Sequence, residues 1–128
     1  MTKEVLKAVN EAMESLGINY EFMEYKKTPI EYPYFVGEYQ EVPLSVESGE
    51  SETSFELNGF TRGLWSDLES AKERIRDYFD ITTGKLLRTK SGAIAIFYLN
   101  SLVIPTESAE LKRIQVNLLV KEWKGIKS

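Results

Sequence analysis

Apolar residues recur at helical spacing in two stretches of the chain and at strand spacing over most of the rest. Over 3–16, Val5, Leu6, Val9, Ala12, Met13 and Leu16 share one helical face, and Lys3, Lys7, Glu11 and Glu14 take the other. That is the pattern of a helix buried along one stripe. Thr2 stands at its N-cap position and Gly17 where a glycine stop belongs. Over 66–80, Leu68, Ala71, Ile75, Tyr78 and Phe79 form a second stripe, and Thr82-Thr83-Gly84 ends it. Ser66 and Glu69 have capping-box spacing, and Asp67 and Glu69 suit the positive end of a helix dipole.

Between the helices the period changes to two. Ile18–Tyr25 alternates and predicts a strand, broken by Lys26-Lys27-Thr28-Pro29. Tyr34–Val42 is rich in aromatic and β-branched residues and lies between Pro33 and Pro43, which predicts an edge or bounded strand. Over 52–62, Thr53, Phe55, Leu57 and Gly59 share one face and Ser54, Glu56, Asn58 and Phe60 the other. The last two segments make a long hairpin. Its polar tip, Ser45–Ser51, is longer than a tight turn needs and is expected to be mobile until assembly orders it.

The last third reads as strands. Lys85–Thr89 is short, and Lys90-Ser91-Gly92 turns the chain. Ala93–Leu99 is a nearly continuous apolar run, expected to be buried on both faces. Leu102, Val103 and Ile104 form a short segment ended by Pro105. Leu111–Trp123 alternates, with Ile114, Val116, Leu118 and Val120 inward; Leu119 and Trp123 interrupt the polar side, which suggests cover by a neighbour. The predicted order is α-β-β-β-α-β-β-β. This is an α+β fold, two helices packed on an antiparallel or mixed sheet with a long hairpin, in one domain over 1–128.

Charge divides along the chain. Between Thr28 and Thr61 there are seven carboxylates (Glu31, Glu38, Glu41, Glu47, Glu50, Glu52, Glu56) and no lysine or arginine. From Lys85 to Ser128 eight basic residues face three acids. An acidic patch on one copy can then attract a basic patch on the next, which fixes orientation more than it adds affinity. The same division also fits two solvated faces with no partner. The candidate interface residues are Glu38, Glu41, Glu47, Glu50 and Glu52 on the acidic side, and Arg113, Lys121 and Lys124 on the basic side.

Composition narrows the chemistry. Hydrophobic content of 42% and charged content of 28% belong to a globular chain, not a disordered one. No window approaches the apolar length of a membrane span, and the N-terminus reads as a helix start, not a signal peptide. There is no cysteine and no histidine, which removes disulfides, thiolate chemistry, the usual metal ligands and the commonest general base. No nucleophile elbow, phosphate-cradling glycine loop or EF-hand spacing appears. We expect no enzyme, no cofactor and no metal site.

The run Tyr32-Pro33-Tyr34-Phe35-Val36-Gly37-Glu38-Tyr39, the acidic hairpin, Phe55-x-Leu57-x-Gly59-x-Thr61-Arg62-Gly63 and Trp65-Ser66-x-Leu68-Glu69 resemble the tail-terminator proteins of long-tailed bacteriophages and prophages, also called tail-to-head joining or tail completion proteins. The resemblance covers about residues 3–120. It implies a structural virion protein of the tail or neck, made in the host bacterial cytoplasm. Such proteins form a ring, typically of six copies, on the tail tube. The ring's partners would be the major tail protein and a head-completion or connector protein, with DNA passing through its channel without sequence-specific binding. Two other readings compete: a head-completion or connector neck protein, and a monomeric module binding a small apolar ligand among Tyr20, Phe22, Tyr34, Phe35, Phe97 and Tyr98.

Overall fold

The computed structural model of the chain describes residues 2–41, 50–80, 84–89 and 92–124, and the side chains of all of these except 41, 50 and 124. The elements run α1 (Lys3–Ser15), β1 (Tyr20–Phe22), β2 (Tyr34–Glu41), β3 (Glu50–Thr61), α2 (Trp65–Tyr78), β4 (Lys85–Thr89), β5 (Gly92–Ile104) and β6 (Lys112–Lys124). This is the α-β-β-β-α-β-β-β order that the periodicities predict. The strands form one six-stranded sheet, ordered β1-β2-β3-β6-β5-β4. Only β1–β2 is parallel; the other four pairings are antiparallel.

Both helices pack on one face of the sheet. Val5, Val9, Ala12 and Met13 of α1 and Leu68, Ala71 and Ile75 of α2 meet Phe35, Phe55, Leu57, Ile94, Ile96, Ile114, Val116, Leu118 and Val120 in a single core. The inward set predicted for β6 is fully buried, because alternation with period two sends every second side chain to the helix side. Gly17 ends α1 as expected. Its φ is +68°, the Ile18 N–H donates to the Met13 carbonyl (2.9 Å), and the Gly17 N–H donates to Glu14 (3.0 Å). Arg74 of α2 donates to the Leu16 carbonyl (2.6 Å), satisfying another orphan group and tying the two helices together.

Several local expectations are corrected. Thr2 is the N-cap residue of α1, but its side chain does not cap the helix. Its hydroxyl donates to Glu122 Oε1 (2.6 Å), and its backbone N–H donates to the same oxygen (3.2 Å). A buried carboxylate is the stronger acceptor, and the chain has brought one within reach. Ser66 does not cap α2. The helix starts one residue earlier, with Leu64 as N-cap and no side-chain cap bond, and Glu69 pairs with Lys72. The turn into α2 is held instead by the Thr61 hydroxyl, which accepts the Gly63 N–H (3.0 Å).

The strand expected over Ile18–Tyr25 is only Tyr20–Phe22. Met23 adopts a φ of +71° and turns its N–H onto the Gly37 carbonyl (2.7 Å), which ends the pairing with β2. Glu50 and Ser51, read as loop, belong to β3, because β6 is long enough to pair with them. The rest of the expected mobile tip, 45–49, lies outside the described residues, as do Pro43 and Thr82-Thr83. Leu102–Ile104 is not a separate segment. It continues β5 past a bulge at Leu99, and the double-faced burial expected over Ala93–Leu99 holds only for Ile94, Ala95 and Ile96.

Candidate assembly surface

The sheet face opposite the helices bears no helix among the described residues, and four of the eight candidate interface residues, Glu38, Glu52, Arg113 and Lys121, belong to it. Register places Tyr34, Val36 and Glu38 of β2 beside Phe60, Asn58 and Glu56 of β3. These in turn stand beside Arg113, Gln115 and Asn117 of β6. A hydrogen-bonded row crosses the three strands. Arg113 Nη2 donates to Asn58 Oδ1 (2.9 Å), and Asn58 Nδ2 donates to Glu38 Oε1 (3.4 Å). Asn58 is 5% exposed, so losing either partner leaves a buried amide group unsatisfied. Arg113 also lies over the Phe60 ring, 5.6 Å from its centroid, within cation–π range. A second row runs from Gln115 to Asn117 (2.9 Å) and on to Asn100 (2.8 Å).

Glu38 and Glu56 stand directly opposite on β2 and β3. Burial, then the hydrogen bond and negative charge of Glu38, raise the Glu56 carboxyl above its ordinary value of 4.5, while Arg113 pulls it down. A raised folded-state value means that the folded form holds the proton more tightly than the unfolded form. The associated stability is full below the ordinary carboxyl value and is lost as pH rises through the raised one. Like charges directly opposite across strands cost about 0.2–1 kcal/mol. Glu56→Gln is therefore expected to stabilise the chain by that amount at pH 7, with the gain shrinking toward pH 4. Urea unfolding at both pH values checks this; an equal gain at the two would rule out a charge origin.

The remaining candidate residues distribute as follows. Glu52 and Lys121 are cross-strand partners within one chain, with Oε1 and Nζ 3.7 Å apart. The acidic and basic segments thus lie side by side as β3 and β6. That pairing matches one charge of each segment within the chain; a half-exposed ion pair of this kind contributes about 0.2–1 kcal/mol. Glu41 ends β2, Glu50 begins β3 opposite Trp123, and Lys124 ends β6 opposite Gly92, so these three gather at the hairpin end of the sheet. Glu47 lies outside the described residues. The open face is apolar toward β4, where Phe97 stands opposite Leu119, and Ala93 opposite Trp123. Leu119 and Trp123 are half-buried within the chain itself.

The six aromatic residues of the ligand-binding reading do not gather around one cavity. Phe35 and Tyr20 are buried in the core, Phe22 stacks on Tyr39, and Tyr34 and Phe97 lie on the open face at opposite sides of the sheet. Tyr34 instead joins an aromatic corner, stacked between Tyr25 (4.3 Å) and Phe60 (5.2 Å). That corner borders an open depression of about 390 Å³ shared with Glu38, Asn58 and Arg113.

A feature that the sequence reading missed is the outer edge of β5. β4 pairs only with Gly92–Ile96, so Leu99–Ile104 has β6 on one side and no strand on the other among the described residues. Leu99 (41%), Leu102 (44%) and Val103 (54%) are exposed there. The signal was available: no charged residue occurs from Ala93 to Ile104, and that run is much longer than Lys85–Thr89, which has to pair with it.

No protein-family profile matches the chain, and no curated protein matches it in sequence. Among solved structures, a chain of the virion of a native gene transfer agent particle superposes with a TM-score of 0.64 at 14% identity, covering 89% of this chain and 84% of that one. The two chains share a fold across nearly their whole lengths.

Proposed function

We propose that this chain is a structural virion protein that caps a tail tube as a ring and forms the surface to which the head docks. The observation that carries the reading is the shared fold, over 89% of the chain, with a component of a gene transfer agent virion. The resemblance of the Tyr32–Tyr39 and Phe55–Gly63 segments to tail terminators supports the finer role. The partners in this reading are other copies of the chain, six in the ring, the major tail protein, and a head-completion or connector protein. A ring needs two different complementary patches per copy. In this reading Glu38, Glu41, Glu47, Glu50 and Glu52 contribute to one, and Arg113, Lys121 and Lys124 to the other.

The central rows of the open face also suit a wall past which DNA slides. They carry Glu38, Glu56, Asn58, Gln115 and Asn117, and their cation, Arg113, is hydrogen-bonded to Asn58. Tight grip on a phosphate backbone needs several available cations. Particles assembled without the chain test the proposal. The expected result is DNA-filled heads separate from tails whose tubes have irregular length and bare ends. Tails of normal length beside heads that leak DNA would assign the chain to head completion instead, and intact particles would remove it from assembly.

A further inference from the structure

The sheet has two incomplete edges, and they match each other. On one side, β1 covers only Phe35–Gly37 of β2, so Glu38–Glu41 has β3 on one side and no strand on the other among the described residues. On the opposite side, β4 leaves Leu99–Ile104 of β5 in the same condition. In both runs consecutive residues are exposed although they point to opposite faces: Glu38, Tyr39 and Gln40 on β2, and Leu102 and Val103 on β5. Side chains exposed on both faces mark backbone that projects past the helix layer. Native sheets blunt such edges with charge or proline, because an uncovered apolar edge is a template for another strand. The β5 run has neither before Pro105.

We infer that the free run of β5 pairs antiparallel with the free run of β2 from a second copy, so that the sheets of neighbouring subunits join edge to edge; this rests on the ring reading above. Three observations select a second copy as the occupant. First, β2 and β5 run in opposite directions within the sheet, through β3 and β6, so two copies held in the same orientation present these strands antiparallel. Second, the free runs lie at diagonally opposite corners, each at the C-terminal end of its strand. Joining them staggers each sheet against the next, and staggered sheets close when their strands are inclined to the ring axis. Third, the faces match in only a narrow set of registers. Tyr39 is on the helix side with Phe55, and Val103 is on the helix side with Ile114. Because side chains alternate with period two, Tyr39 must stand opposite Val103 or Ser101.

The register with Tyr39 opposite Val103 sets the two exposed apolar side chains together. It also places Glu38 of one copy opposite Ile104 of the other, one strand from Arg113, which is itself opposite Ile104. The contact is heterologous, with different strands on the two sides, and so propagates from copy to copy until it closes.

The chain has no cysteine, which makes cross-linking a clean test. The full-length double variant Tyr39→Cys/Val103→Cys is oxidised in solution and again on tail tubes purified from its own particle. The expected result is a ladder of covalent multimers ending at one closed size, with each single variant mixed with the other giving only dimers. Dimers of Val103→Cys alone that form as readily would show a like-to-like contact and overturn the inference. Absence of cross-links both in solution and on tubes would overturn it too. If those uncross-linked copies nevertheless cap the tubes, the proposed function stands and only this contact falls; if they do not cap, both fall. As a second readout, Val103→Lys is expected to reduce association at least tenfold while the thermal midpoint of the monomer stays unchanged.

Discussion

Phe55→Ala is expected to destabilise the chain by about 3–5 kcal/mol, the range for truncating a large buried aromatic. Phe55 is fully buried at the middle of β3, with Tyr39 of β2 and Leu118 of β6 as its direct cross-strand neighbours. Its ring lies 6.2 Å from Phe22 of β1, near parallel, so one side chain ties both sides of the sheet to the core. Removing it opens a cavity that the surrounding strands cannot close without losing their register. Urea unfolding monitored by tryptophan fluorescence reads the loss directly. A cost below about 1 kcal/mol would mean that the core does not sit where we place it.

Gly59→Ala should be nearly as damaging, although it adds only a methyl group. Gly59 and Phe35 are directly opposed on β3 and β2, and the Phe35 ring lies across the glycine. A Cβ at Gly59 would come within 2.5 Å of two ring carbons and 3.1 Å of Ile114 Cγ2. Phe35 is fully buried and cannot swing into solvent, so either the ring or the strand must move. Overpacking of this kind costs about 1–3 kcal/mol, and the backbone position of the clash puts it at the upper end. The explanation predicts coupling: in a Phe35→Leu background the same substitution should cost much less, because the offending ring atoms are gone. Additive costs in the double variant would refute the ring-over-glycine account.

Much of the fold was legible in the chain because two periodicities, 3.6 and 2, hardly overlap in it. The stripes Val5–Leu16 and Leu68–Phe79 and the inward set Ile114–Val120 all reach the core as read. What escaped was decided by partners distant in sequence. Thr2 looks like a helix cap until Glu122 arrives from the last strand. Ser66 and Glu69 look like a capping box until Lys72 takes the carboxylate. The length of β3 depends on β6, which reaches back to Glu50.

The candidate surface was legible only in part. Charge runs pointed to β2, β3 and β6, yet sequence could not show that β3 and β6 pair with each other, and that pairing turns Glu52 and Lys121 into partners within one chain. Nor could it show that Asn58 would link Glu38 to Arg113. The free edge of β5 was hidden for a simpler reason. Leu102–Ile104 was expected as a separate segment, whereas it continues β5 past the bulge at Leu99 and outruns β4.

In the proposed assembly, copies of this chain close into a ring through their own sheet edges. Native mass spectrometry of the purified full-length chain, alone and released from tail tubes to which it has been added, tests it most directly. The expected result is one closed assembly of six subunits, dominant on tubes and growing with concentration in solution, with no larger open series. A chain that remains monomeric in both preparations would contradict it.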